Sequence, residues 1–159
     1  MSQPSTKVRP VKQVENEDDV ERVNAFFNSK TIKQELHRFT YSTTLERAFE
    51  RDDRRLFYVE DEGEIVGALM VWCESRVLGP DEAQIRLVAV ANEYRDHGIG
   101  ERLCEGAEEF AFDYGEEKIS ADAASDSPAL AFWETCGYEI DHIWETDNGR
   151  EMCRMMKTI

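Results

Sequence analysis

The feature that most constrains this chain is a strand that runs through a glycine-bearing loop into a long amphipathic helix. Ala83–Val90 reads AQIRLVAV, and EYRDHGIG follows from Glu93 to Gly100. Beyond it Ile99, Leu103, Ala107, Phe110 and Tyr114 share one helical face while Glu101, Glu105, Glu108 and Glu109 crowd the other. A loop at a helix N-terminus offers unpaired backbone N–H groups and the positive end of the helix dipole, which is what a pyrophosphate requires. Gly98 and Gly100 lack side chains that would block close approach, although glycines before a helix also serve as plain turn formers. Spacing excludes two nucleotide-binding motifs: position 103 is leucine where G-x-G-x-x-G needs a third glycine, and the chain has no Gly-Lys pair for a P-loop.

The remaining segments supply partners for that unit. Lys7–Val14 alternates as a strand that Pro10 restricts to a sheet edge. Asn16–Asn28 reads as a helix, with Asn16 as cap and Val20, Val23, Phe26 and Phe27 at helical spacing. A less regular stretch follows, and then a second helical pattern, Thr43–Arg51, with Ser42 or Thr44 as cap. Arg55–Glu60 and Glu64–Cys73 form a hairpin through Asp61, Glu62 and Gly63. After the long helix, which Gly115 ends, come a strand at Lys118–Ala123, a helix from Ser127 to Thr135 capped by Asp126 or Ser127, and two closing strands, Tyr138–Trp144 and Met152–Lys157. This order predicts a mixed α/β sandwich with a largely antiparallel first half, in a single domain over 1–159.

Charge and cysteine usage narrow the function. Nineteen Lys and Arg against 34 Asp and Glu give a net charge of −15, which disfavours general nucleic-acid binding. Only six of those cations are lysine; an acidic, arginine-rich surface fits work in concentrated salt, or simply solubility. No apolar stretch approaches ~20 residues and the start MSQPSTKVRP lacks a secretory apolar segment, so the expectation is a soluble cytoplasmic protein without a membrane partner. Cys73, Cys104, Cys136 and Cys153 form no C-x-x-C pair, and His37, His97 and His142 are scattered, so neither a disulfide scaffold nor a metal site is expected.

At the residue level the chain resembles the GNAT superfamily of acetyl-CoA-dependent N-acyltransferases. The family signature R/Q-x-x-G-x-G/A after a strand of small and branched residues is matched by Arg95, Gly98 and Gly100 within VAVANEYRDHGIG. A second block, N-x-x-A-x-x-x-Y-x-x-x-G-F, is matched by Asp126, Ala129, Trp133, Gly137 and Tyr138. The resemblance implies a mostly antiparallel central sheet flanked by helices, with the fourth strand splayed from the fifth to admit the pantetheine arm of acetyl-CoA. Backbone at Val88 and Val90, with Ala89 between them, would run beside that arm as a pseudo-strand does. Arg95, Asp96, His97, Gly98, Ile99 and Gly100 would hold the pyrophosphate, with Arg95 adding charge. Arg102 either joins them or, the favoured reading, pairs on the surface with Glu101 or Glu105. The implied partners are a primary-amine acceptor, cationic if acidic walls select it, and, as an assembly to test, a homodimer.

Two positions depart from the family pattern. Where members commonly carry a carboxylate as general base, the chain has Gln84, which cannot take a proton; Glu82, two residues earlier on the same strand face, is the nearest substitute, unless it is a solvated turn residue. Where members carry a tyrosine that protonates the leaving thiolate, the chain has Trp133, whose indole is no usable acid, leaving water or Tyr138. Cys136 has no histidine placed to activate it and reads as a packed or helix-end cysteine. The leading reading is therefore direct acetyl transfer from acetyl-CoA to an amine in a ternary complex, with the acceptor lined by Asn28–Ser42 and Glu74–Asp81. The alternative is a catalytically weak acyl-CoA-binding or sensing module.

Overall fold

The computed structural model describes residues 9–36, 39–74 and 78–159. In chain order it contains β1 (Lys12–Gln13), α1 (Glu17–Phe27), α2 (Lys30–Leu36), α3 (Ser42–Glu50), β2 (Arg54–Asp61), β3 (Glu64–Trp72), β4 (Glu82–Val90), α4 (Ile99–Tyr114), β5 (Lys118–Ala124), α5 (Ala129–Thr135), β6 (Glu139–Glu145) and β7 (Glu151–Thr158). A single 3-10 turn, Asn92–Tyr94, precedes α4. The seven strands lie in the order β1-β2-β3-β4-β5-β7-β6. Every neighbouring pair is antiparallel except β4 and β5, which run parallel.

The local signals act as expected in most elements. Asn16 caps α1, its Oδ1 accepting from the Asp19 N–H at 2.8 Å, and the buried stripe is Val20, Val23 and Phe27. The β2–β3 hairpin turns through Glu62 (φ 50°) and Gly63 (φ 83°), two consecutive left-handed residues whose twist matches that of the strands. Gly115 closes α4 at φ 111°, a conformation that costs a residue with a Cβ about 1–2 kcal/mol.

Four expectations require correction. The irregular stretch after α1 contains α2, which buries only Ile32, so no periodic apolar face announces it in the sequence. In α3, Ser42 is the first helical residue and Tyr41 the cap, with no side-chain capping bond from Ser42 or Thr44. The first strand is confined to Lys12–Gln13, paired with Tyr58 and Phe57; Lys7 and Val8 lie outside the described residues. In α5 the cap is shared: Pro128 takes the boundary position while the Ser127 hydroxyl accepts from the Ala129 N–H at 3.1 Å.

The sheet separates two cores. One face packs Val71, Ala83, Ile85, Ile119 and Ala121 against α4 and Trp133 of α5; the other packs Leu56, Met70, Leu87 and Ala89 against α1 and α3. Gly67 of β3 lets the first turn of α4 settle on the sheet, because a Cβ there would lie 2.9 Å from Ile99 Cγ2 and 3.2 Å from Leu103 Cδ1. Close packing at that point sets where the helix N-terminus emerges. No helix among the described residues is long and apolar enough to cross a membrane.

Candidate active site

Strand β4 carries the geometry. Its register with β3 passes from Met70↔Leu87 to Val71↔Ile85, so Arg86 is an extra residue, a β-bulge. The bulge reverses the side-chain alternation: Ile85 joins the core under α4, whereas Leu87 joins the core under α1 and α3. Below the bulge, Glu82–Ile85 pair with Lys118–Ala121 of β5; above it the two strands have no paired residues. The sheet therefore splays at Arg86, leaving a strand edge whose backbone groups need partners.

Strand alternation tells which groups those are. The Ala91 N–H donates to Val66 O at 2.8 Å, facing β3, so the N–H and C=O of Val90 and of Val88 face the open side. Accordingly, Arg95 Nε donates to Val90 O at 3.3 Å. Ala89 turns its backbone to Ala68 of β3 and its methyl into the α1–α3 core, so it shapes the edge without offering it a hydrogen bond.

The loop above the splay is anchored at both ends. The Tyr94 hydroxyl donates to Asp61 at 2.7 Å, and Asp61 also pairs with Arg9 at 2.9 Å. Asp96 (φ 63°) and Gly98 (φ 77°) both adopt left-handed backbone, and a Cβ at Gly98 would meet nothing within 4 Å. Gly100 differs, because its Cβ would lie 3.0 Å from Phe132 Cε1 and 3.2 Å from Cζ. Gly98 thus borders open space and Gly100 seats α5 against α4. Asp96 and His97 are exposed, and Ile99 is buried under the helix start.

Cations at the cradle are not placed as the sequence suggested. Arg95 pairs with Glu35 of α2 across the front of β4. Arg102, in the first turn of α4, forms no ion pair among the described residues, with Glu101 and Glu105 or any other acid, and its buried Nε has no hydrogen-bond partner. A buried donor without an acceptor costs about 1–3 kcal/mol, so an anion bound at this helix start would relieve it. The open edge at Val88 and Val90, the unobstructed Gly98 and the orphaned Arg102 donor together fit the pantetheine arm and the pyrophosphate of acetyl-CoA.

On the α1–α3 face below the bulge lies a polar row. Glu82 is 5% exposed and Gln84 1%, so Glu82 is a buried strand residue rather than a solvated turn residue. The fully buried Ser120 hydroxyl donates to Glu82 Oε2 at 3.0 Å and receives Gln84 Nε2 at 3.4 Å, while Arg86 donates to Gln84 Oε1. Arg154 Nη1 lies 3.9 Å from Glu82 Oε2. A two-point hydrogen bond to Asp122, at 2.8 and 2.9 Å, holds Arg154 above its ordinary basicity, with Glu82 adding to the effect. Glu82 and Gln84 are thus brought together, linked through one hydroxyl, and Ser120 is a member of the site that the sequence offered no reason to single out.

The second block lies behind the loop. Trp133, 4% exposed, meets Phe132 and Tyr138 edge-on at 5.0 Å each, and Phe132 in turn lies against Gly100. The Tyr138 hydroxyl donates to Glu108 Oε2 at 2.9 Å, and burial, with the Glu108 charge behind it, pushes that phenol far above its usual range. Tyr138 is therefore a poor proton donor. Cys136 contacts the Cys104 thiol, a bond that lowers the Cys136 thiol pKa and raises that of Cys104, and no histidine among the described residues contributes. Asp126 is exposed beyond the end of β5 and Ala129 is half-buried at the start of α5. Of the acceptor-lining segments expected from the sequence, residues 37–38 and 75–77 lie outside the described residues.

A sheet splayed at a bulge, with a glycine loop at the mouth of the helix that follows, is the arrangement that the resemblance to acetyl-CoA-dependent acyltransferases implied. Residues 20–138 match the Acetyltransferase (GNAT) family. The chain belongs to that family, whose members are acyltransferases that use acetyl-CoA. A curated Bacillus subtilis (strain 168) protein, provisionally named a [ribosomal protein bS18]-alanine N-acetyltransferase, is 29% identical over 105 residues. That match spans 64% of this chain and 66% of the relative, just under two thirds of its length. The fold is also that of the ribosomal-protein-S18-alanine N-acetyltransferase from Escherichia coli, at TM-score 0.70 and 18% identity over 96% of this chain and 94% of that one. A Bacillus anthracis str. Ames structure in complex with acetyl coenzyme A, provisionally named a streptothricin acetyltransferase, matches at TM-score 0.64 and 17% identity, covering 72% of this chain and 68% of its own.

Proposed function

We propose that this chain is an N-acetyltransferase that moves the acetyl group of acetyl-CoA to a primary amine by direct attack within a ternary complex. The observation that carries the reading is the splay at Arg86, which leaves the backbone of Val88 and Val90 without a strand partner on the β5 side, the Val90 carbonyl being met only by the Arg95 side chain, in the stretch of β4 that leads into the Gly98 loop. Acetyl-CoA supplies an already activated thioester, so positioning can provide much of the rate. The chain's own residues then have three tasks. Backbone at Val88 and Val90 aligns the arm, backbone across residues 95–100 with Arg102 neutralises the pyrophosphate, and the polar row below the bulge receives the amine. The amine nitrogen forms the new bond to the acetyl carbon as the carbon–sulfur bond breaks, the amine proton passes to Glu82 or to solvent, and CoA leaves as the thiolate, which takes a proton from water to become the thiol.

The acceptor is a primary amine of a small molecule or a protein. Relatives named for a ribosomal-protein alanine amine and for streptothricin bracket the panel worth testing, and the net charge of −15 favours a positively charged amine over long range. A second reading, an acyl-CoA-binding or sensing module with weak turnover, rests on Gln84 and Trp133 standing where a base and an acid are usual.

Release of free CoA, measured with an amine panel that includes an N-terminal alanine peptide and a polyamine, separates the two readings. Turnover at or above about 1 per second supports the enzyme. Tight acetyl-CoA binding with no amine-dependent release supports the sensor. In both cases acetyl-CoA at about 100 times its Kd will raise stability by about 2.7 kcal/mol, read as a shift in Tm. A melt unmoved by millimolar acetyl-CoA would refute both. Trp133→Phe will cost roughly 1–2 kcal/mol of stability by loss of buried ring volume, yet keep acetyl transfer within about tenfold of the parent. A thousandfold loss of kcat at unchanged acetyl-CoA affinity would instead give the indole N–H a chemical role.

A further inference from the structure

The α1–α3 face of the sheet carries a concentration of positive charge that the acidic net charge conceals. Arg54 of β2, Trp72 of β3 and Gln84 of β4 stand in register across three neighbouring strands. The Arg54 guanidinium carbon lies 3.8 Å from the centroid of the Trp72 ring, and that of Arg86 lies 4.5 Å from it. The two cations are therefore no farther apart than those distances combined. Arg86 also donates to Gln84, which ties this stack to the row at the splay.

Arg54 is the unexplained member. It makes no ion pair and no side-chain hydrogen bond among the described residues, its Nε is buried without a partner, and so is the indole N–H of Trp72. Arg51, by contrast, is neutralised by Asp53 through bonds of 2.8 and 2.7 Å. Burial, and then the nearby charge of Arg51, followed by those of Arg47 and Arg86, outweigh the opposing charge of Asp53 and make Arg54 less basic than an ordinary arginine. A neutral side chain would cover the indole without bringing like charges together, so packing gives no reason for a second arginine here. A bound anion does: set at the edge of the ring that separates the two guanidiniums, it would neutralise both, accept the unmet donors and match the planar fork of a guanidinium.

We propose that Arg54 and Arg86, held on the Trp72 ring, form a subsite for an oxyanion carried by the acceptor, so that the preferred acceptor is an amine that also bears a carboxylate or phosphate. In its functional sense this rests on the N-acetyltransferase reading. The long-range field of the chain draws the ammonium end, and the local arginine pair selects the anionic end. Arg54 stands two strand spacings from Gln84, roughly 10 Å between backbones, so amine and oxyanion are separated by several bonds rather than attached to one carbon.

The test uses the whole chain with saturating acetyl-CoA. Glutarate, inorganic phosphate and, as neutral control, glutaramide are titrated while the Trp72 indole and Arg54 guanidinium resonances are followed by NMR. A saturable shift with an oxyanion and none with glutaramide is expected, and the stronger of glutarate and phosphate identifies the group. Affinity should weaken at least tenfold in Arg54→Gln, with Arg54→Lys intermediate because charge remains while the fork is lost. Arg54→Lys also keeps the test valid if Arg54→Gln fails to fold. No saturable shift, or equal shifts in parent and variants, would overturn the proposal. Turnover adds a second readout: the kcat/KM ratio of 5-aminopentanoate to pentylamine should exceed ten and collapse in Arg54→Lys. If no amine is acetylated at all, the N-acetyltransferase reading fails while the titration still decides whether the anion site exists.

Discussion

Gly98→Glu will reduce acetyl-CoA affinity at least about 100-fold, roughly 2.7 kcal/mol, while the protein stays folded. The expectation follows from what surrounds the two loop glycines. A Cβ at 98 meets no atom of the described residues within 4 Å, so the side chain starts into open space, and a glutamate there brings a carboxylate to the loop proposed to hold the pyrophosphate. The left-handed φ of 77° adds strain of about 1–2 kcal/mol, which is a modest loss of stability and not an unfolding one. Gly98→Ala shares the strain without the charge and should bind within about tenfold of the parent, isolating the electrostatic part. Gly100→Glu is the poorer probe, since its Cβ would lie 3.0 Å from the Phe132 ring and the packing of α5 on α4 would fail with it. Calorimetric titration with far-ultraviolet circular dichroism on the same samples measures both quantities. Unchanged affinity in folded Gly98→Glu would reduce the loop to a turn.

Glu82→Gln will lower kcat by about 100-fold or more if that carboxylate takes the amine proton, in line with the usual worth of a positioned general base. The substitution is mild structurally. The amide oxygen still accepts from Ser120, and Arg154 retains its two bonds to Asp122, so folding and acetyl-CoA binding should be nearly unchanged. The pH dependence of kcat/KM separates this from direct use of the free amine. An aqueous primary amine is mostly protonated at neutral pH, so transfer from solution amine rises with pH until the neutral form predominates. If Glu82 is the base, the variant loses rate wherever the parent carboxylate is ionised, and with it the acidic limb, keeping only the dependence due to the acceptor. If it is not, parent and variant profiles superimpose. A profile flat from pH 6 to 9 with a simple alkylamine, with chemistry rate-limiting, would contradict both and require a base elsewhere.

Much of the fold was legible in the sequence because the decisive signals are local. The Asn16 cap, the Glu62-Gly63 turn, the amphipathic stripe of α4 and its Gly115 stop each act within one or two turns of chain, where propensity and periodicity are strong. The glycine loop was legible for the same reason, being a run of six residues next to a helix start. α2 was not, since one buried residue, Ile32, gives no period to read, and its position depends on packing against neighbours and on the Glu35 contact to Arg95. Whether an arginine finds a carboxylate is likewise settled by distance in space. Arg102 sits next to Glu101 and near Glu105 in sequence, yet pairs with neither, while Arg95 reaches a residue far back along the chain.

By itself, the sequence determined the order of the elements, the strand–loop–helix unit and the family this chain belongs to, because motif spacing and periodicity are properties of neighbouring residues. Only the tertiary structure decided where β4 parts from β5, since the bulge at Arg86 exists only relative to the facing strand β3. It also decided that Glu82 is buried on Ser120, and that three strands set Arg54, Trp72 and Arg86 against one another. Those contacts join residues about 14 to 38 positions apart, and a chain closes loops of that size only when the sheet as a whole repays their entropy.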